Sequence, residues 1–161
     1  VRVTRNLRVT IGAPLAAAAL LALGAQTAAA AIPINKPTTG KATYYNDSGY
    51  GACGTQINAA TQLLVAVSHT WWTTANPNND PLCQGISVKV SYGGKTVTVP
   101  VRDKCPSCDS THIDLSQPAF AGFAPLGQGV INGITWQFVK TGPAGQAVPV
   151  SEPVTGTAVG H

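Results

Sequence analysis

The chain has 161 residues, with ten Lys or Arg against six Asp or Glu and a formal net charge of +4. Three of the basic residues, Arg2, Arg5 and Arg8, lie at the very start, and the remaining seven face all six acids. Beyond the first thirty residues the charge is therefore close to neutral, and no basic cluster is interleaved with aromatics, which excludes a nucleic-acid partner.

Those thirty residues read as an export signal. The arginines give a positive start, residues 11–24 are apolar and rich in Ala and Leu, and residues 26–31 are small and offer an A-x-A cleavage site between Ala30 and Ala31. The apolar run contains Pro14 and falls short of the roughly 20 residues needed to span a bilayer. The expectation is a secreted, extracellular protein with no membrane attachment once residues 1–30 are removed.

The remainder of the chain, from residue 31 on, is long enough for one domain. All four cysteines, Cys53, Cys83, Cys105 and Cys108, lie in it. An even number in an exported chain implies two disulfides, with three possible connectivities. Cys105-Pro106-Ser107-Cys108 has half of a zinc-ribbon spacing, but Cys53 and Cys83 are too far apart for the other half. No metal and no cofactor is expected.

In chain order, residues 31–39 are broken by Pro33 and Pro37 and predict an extended, mobile arm. Residues 40–46 predict a strand, residues 47–51 a turn, and the short apolar run 63–68 a buried strand. Residues 69–82 hold Trp71, Trp72, three Asn and two Pro, and read as a long loop. Residues 86–92 and 95–101 alternate about Gly93-Gly94, a β-hairpin signal. Ser116 before Pro118 predicts a short helix over 117–123, and residues 134–139 a last strand. From 140 to 161 the composition reads as a disordered tail. About six short strands would leave fewest exposed edges if closed into a small barrel.

Several motifs, in this order, resemble the double-psi β-barrel proteins, which include expansins, rare-lipoprotein-A-like proteins and barwin. They are Ala42-Thr43-Tyr44-Tyr45, Gly51-Ala52-Cys53-Gly54, the run from Leu63 to His69, Pro81-Leu82-Cys83, the run from Val99 to Pro106, and the run from Ile113 to Phe120. The resemblance covers 40–139 and implies a mainly β, six-stranded double-psi β-barrel with one or two short helices. It also implies the pairing Cys53–Cys83, which leaves Cys105–Cys108 as a local bridge. Within that group the chain resembles secreted Streptomyces inhibitors of papain-type cysteine proteases, which implies an inhibitor rather than an enzyme. With all four cysteines paired no thiol meets the protease's own, so a noncovalent mode is expected, of a monomer.

The alternative implied by the same resemblance is an expansin-like or lytic-transglycosylase-like protein that binds or cleaves cell-wall polysaccharide. Its acid would be Asp114, in His112-Ile113-Asp114-Leu115, with His69 and Asp103 matching a His and an Asp of the rare-lipoprotein-A-like enzymes. Hydrolysis usually needs a second carboxylate, and after Tyr44-Tyr45 stands Asn46, whose amide cannot act as a base. Asp114 reads foremost as a structural anchor. For inhibition, the segment from Trp71 to Asp80 is the expected contact loop, with Trp71, Trp72, Asn76, Asn78 and Asp80 as candidates, since Trp is a common interface anchor; either Trp could instead cover a barrel end. Lys36, Lys140 and Gln146, in the end segments, are candidates for cross-linking by a transglutaminase.

Overall fold

The computed structural model describes residues 31–141 and 148–151; the signal and cleavage-site expectations for 1–31 fall on residues that, apart from Ala31, lie outside these. Its centre is a sheet closed on itself. Six strands form the ring: β1 (Thr38–Tyr45), β4 (Val65–Ser68), β5 (Ile86–Tyr92), β6 (Lys95–Cys105), β7 (His112–Ser116) and β8 (Ile131–Lys140). They neighbour one another in the order β4-β7-β1-β8-β5-β6, and β6 pairs back onto β4. The pairs β1–β7 and β4–β6 are parallel and the rest antiparallel. Closure leaves these six strands without a free edge except where β6 projects beyond β4.

Alternation fills the barrel. Val88 and Val90 of β5, Val97, Val99 and Val101 of β6, Ile113 and Leu115 of β7, and Trp136 and Phe138 of β8 all point inward and are buried. The hairpin β5–β6 turns on Gly93-Gly94, both at positive φ (57° and 77°), as a two-residue connection matched to strand twist requires. At the end of β7, Ser116 precedes helix α1 (Gln117–Ala121), with Pro118 in its first turn. Its hydroxyl caps nothing in the helix; it accepts from the Leu64 N–H at 3.1 Å and ties the entry of β4 to the helix start. Phe120 then plugs the barrel beside Tyr44, with ring centroids 4.9 Å apart.

Four expectations change. The arm 31–39 is docked: Ile34 bridges Phe138, the Asn35 N–H donates to the Phe138 carbonyl at 2.8 Å, and Ile32 and Ile34 pack on the core. The turn at 47–51 contains a strand, β2 (Ser48–Tyr50), paired antiparallel with β3 (Gln56–Asn58). The last barrel strand begins at Ile131, because Gly133 bulges where the register steps from Gly40↔Ile134 to Lys41↔Asn132. Of the stretch read as a tail, Lys140 ends β8 and β9 (Val148–Ser151) pairs with β6, whose edge is open there. Residues 142–147 and 152–161 lie outside the described residues.

Both expected disulfides are present, Cys53–Cys83 and Cys105–Cys108. No helix among the described residues is long and apolar enough to cross a membrane.

Candidate functional site

Three strands bring the candidate acids together. Ala66 of β4 is in register with Asp103 of β6 on one side and Asp114 of β7 on the other, and Asp114 is in register with Thr43 of β1. A single row, Asp103–Ala66–Asp114–Thr43, therefore crosses the outside of the barrel, since Val65 and Val67 on either side of Ala66 face the core. The methyl of Ala66 leaves room for the Tyr45 ring, which packs on it.

The two carboxylates differ in their partners. Asp103 accepts three hydrogen bonds, from the Tyr45 hydroxyl (3.1 Å), the Ala52 N–H (3.0 Å) and its neighbour's Lys104 N–H (2.9 Å). It is a brace between β6, β1 and the segment entering the β3 side of the small ribbon. Asp114 accepts one, from the Thr43 hydroxyl at 2.8 Å, and that hydroxyl also lies 2.8 Å from His112 Nε2. With Asp114 ionised and the Thr43 proton directed to it, the second bond needs a hydrogen on His112 Nε2.

Burial pushes the Asp114 carboxyl above the usual carboxylate range; the Thr43 bond opposes this, and the charges of Asp47 and Asp103 add to it. Burial also holds the Tyr45 phenol protonated far above its ordinary value, with Asp103 adding to the effect through charge and hydrogen bond. Burial and the Lys41 charge depress His112, against the pull of Asp109. The row thus holds one half-buried acid, Asp114, beside Asp103, which is committed to three donors; Asn46 stands exposed after Tyr45, and the exposed Asp47 is the further carboxylate whose charge reaches Asp114. His69 is exposed at the end of β4, in the turn His69–Trp71, and no hydrogen bond joins it to Asp103 or Asp114.

Of the five candidates between Trp71 and Asp80, Asp80 is buried, Trp71 and Trp72 are part-buried against the barrel end, and Asn76 and Asn78 are exposed. Trp71 donates from Nε1 to the Ser110 carbonyl (3.0 Å) and stacks edge-on against Phe138 with centroids 5.4 Å apart. Trp72 reaches the Val67 carbonyl (3.4 Å), so both rings cover the barrel end. Asp80 is 1% exposed and accepts from the Thr73, Thr74 and Leu82 N–H groups at 2.8–3.0 Å. Burial opposes its charge, but these donors outweigh it and hold the carboxyl below its usual range. Asp80 folds the loop and cannot meet a partner. Asn76 and Asn78 remain exposed, in the turn Pro77–Asn79 and its cap.

Sequence reasoning passed over the ribbon β2–β3, because a three-residue exposed strand containing glycine has no apolar alternation to reveal it. It stands directly on the barrel. The β4–β6 register steps from Val65↔Val101 to Ala66↔Asp103, so Arg102 bulges and its carbonyl accepts from the Cys53 N–H at 3.4 Å. Gly51 lies against that carbonyl; a Cβ there would meet it at 2.5 Å, so only glycine allows the approach. The tip at Gly54 touches Asn78, and the Cys53–Cys83 bridge holds the two turns side by side. Among the described residues no cluster of three or more His, Cys, Asp or Glu could hold a metal ion.

A family model described as lytic transglycolase matches residues 37–135. A papain inhibitor of Streptomyces mobaraensis is 63% identical over 139 residues, covering 86% of this chain and 97% of that protein. Among solved structures, the Streptomyces papain inhibitor is similar at 69% identity and a TM-score of 0.68, covering 68% of this chain and all of that one. A mutant Clavibacter michiganensis expansin, solved with cellohexaose, is similar at 28% identity and a TM-score of 0.53; the match covers 65% of this chain and 51% of the expansin.

Proposed function

Because the chain belongs to the family described as lytic transglycolase, and within it to the group of the Streptomyces papain inhibitor, we propose that it is a secreted, noncovalent inhibitor of papain-type cysteine proteases and not an enzyme. The observation that carries this reading is the near-full-length similarity to that inhibitor. The site supports it. A hydrolytic centre needs a proton donor and usually a second carboxylate; Asp103 is tied up as a brace, which leaves only the exposed Asp47 near Asp114. All four cysteines are paired, so there is no thiol to bond the protease's own. A closed barrel with two bridges is rigid, and rigidity lowers the ordering cost of binding.

Export is supported by the first thirty residues and accords with two disulfides, which persist in oxidising surroundings. Lys36 and Lys140 are exposed and accessible to a cross-linking transglutaminase; Gln146 lies outside the described residues. A paired assay tests the function. In one arm the mature chain titrates papain on a chromogenic peptide; in the other, release of soluble sugar from peptidoglycan and cellulose is monitored. Inhibition without sugar release is expected. Sugar release that disappears in Asp114→Asn would establish the polysaccharide-cleaving alternative.

A further inference from the structure

Asp80 is buried, and Trp71 and Trp72 are part-buried against the barrel end, so the most exposed aromatic lies elsewhere. Tyr50, at the end of β2, is 77% exposed, and Val130, at 39%, is the other large apolar residue exposed among the described residues. Tyr50 ends an unbroken exposed stretch, 46–50, that is extended over Ser48–Tyr50. Its partner strand β3 pairs on one side, in the register Ser48↔Asn58, Gly49↔Ile57 and Tyr50↔Gln56, and the two strands form a sheet of their own, so β2 keeps an outer edge open.

An open edge with a projecting aromatic is what an extended-substrate cleft recognises: backbone groups on the edge pair with the cleft, and the ring fills a pocket. Tyr also offers a large contact area at a small entropy cost, which makes it a common anchor at interfaces. We propose that β2 is the protease-facing element of this protein, laid as an extended strand in the substrate cleft of a papain-type protease with Tyr50 as its anchor; this rests on the inhibitor function proposed above. The exposed Asn76 and Asn78 turn, beside the ribbon tip at Gly54, forms the flank of the same surface.

The mounting of the ribbon explains why the strand would be bound and not consumed. The Gly51 nitrogen, which belongs to the peptide bond after Tyr50, donates to the Thr55 carbonyl at 3.0 Å, and Gly51 itself is buried against the Arg102 carbonyl. Immediately beyond it Ala52 is held by Asp103 and Cys53 by Cys83. A protease that seats Tyr50 finds the next peptide bond turned into the barrel, and the chain past it cannot swing away as a leaving segment.

The test compares Tyr50→Ala, Tyr50→Phe and the double variant Lys89→Ala/Val130→Ala, at two exposed positions outside the ribbon, in papain titrations of the full mature chain. Tyr50→Ala should weaken inhibition by about 30-fold or more at an unchanged melting temperature, the size of a hot-spot residue. Tyr50→Phe and the double variant should stay within about threefold of wild type. In hydrogen exchange, papain should slow the amides of 48–50. Wild-type inhibition with Tyr50→Ala titrating equally well, or protection confined to another face, would overturn the assignment of β2 and leave the inhibitor function standing. Failure of the wild-type chain to inhibit would overturn both.

Discussion

Asp103 and Asp114 stand one on each side of Ala66, in register with it across β4, yet Asp103 accepts three hydrogen bonds and Asp114 one. Two carboxylates on one row are the ingredients of polysaccharide chemistry. Their partners make one a structural brace and leave the other half-buried, with its carboxyl raised by desolvation and by its neighbours' charge.

That asymmetry has a pH signature. A folded-state pKa raised above the unfolded value means that the folded state binds the proton more tightly. Ionised Asp114 therefore costs stability at neutral pH, and the cost fades as pH falls through the raised value towards the unfolded one. Asp114→Asn keeps an acceptor for Thr43 without the charge, so it should raise the melting temperature at pH 7. The gain should vanish near pH 3, where the wild-type carboxyl is itself neutral. Melting curves of both proteins across that range check it.

Asp80 carries the opposite sign. Its carboxyl is held low, so the stability it gives is present above the unfolded value and is lost as pH falls through the folded one. Asp80→Ala strips three N–H groups of their acceptor and should cost about 3 kcal/mol in urea unfolding at pH 7, with less left to lose in acid.

The bridge Cys53–Cys83 closes a loop of 30 residues, and its removal by the double Ser variant should cost about 3–4 kcal/mol by loss of chain-entropy restraint. Cys105–Cys108 spans only three residues and should contribute about half as much. Denaturant midpoints of the two double variants give the ratio.

Trp71→Ala separates covering from contact. Removing a ring that stacks on Phe138 and bonds Ser110 should destabilise the fold by about 3 kcal/mol while leaving papain inhibition by the folded fraction unchanged. Circular dichroism melts alongside the titration check both halves.

The features legible in the sequence are those that obey a local rule. The alternation on either side of Gly93-Gly94 announced β5 and β6, and the apolar run before His69 announced β4. About six strands and a small closed barrel followed from the pattern of short runs, whereas the double-psi topology and the two bridges came from motif resemblance, since four cysteines alone leave three pairings. The ribbon β2–β3 escaped because its stability comes from Gly51 resting on the Arg102 carbonyl and from Asp103 holding Ala52, contacts some fifty residues apart in sequence. The inward turn of Asp80 was hidden for a related reason: a Pro- and Asn-rich segment shows that it is irregular, not which side chains turn back to Ser110, as Trp71 does, or to Thr73, as Asp80 does.

Taken as an inhibitor, the protein has a barrel that retains an acid it does not use. The most direct measurement is the titration of papain by wild-type chain and by Asp114→Asn, side by side. Superimposable curves that both reach full inhibition, with activity returning on dilution, are expected. No inhibition at a large molar excess of wild type, or inhibition abolished by the Asp114→Asn change in a chain that still folds, would contradict it.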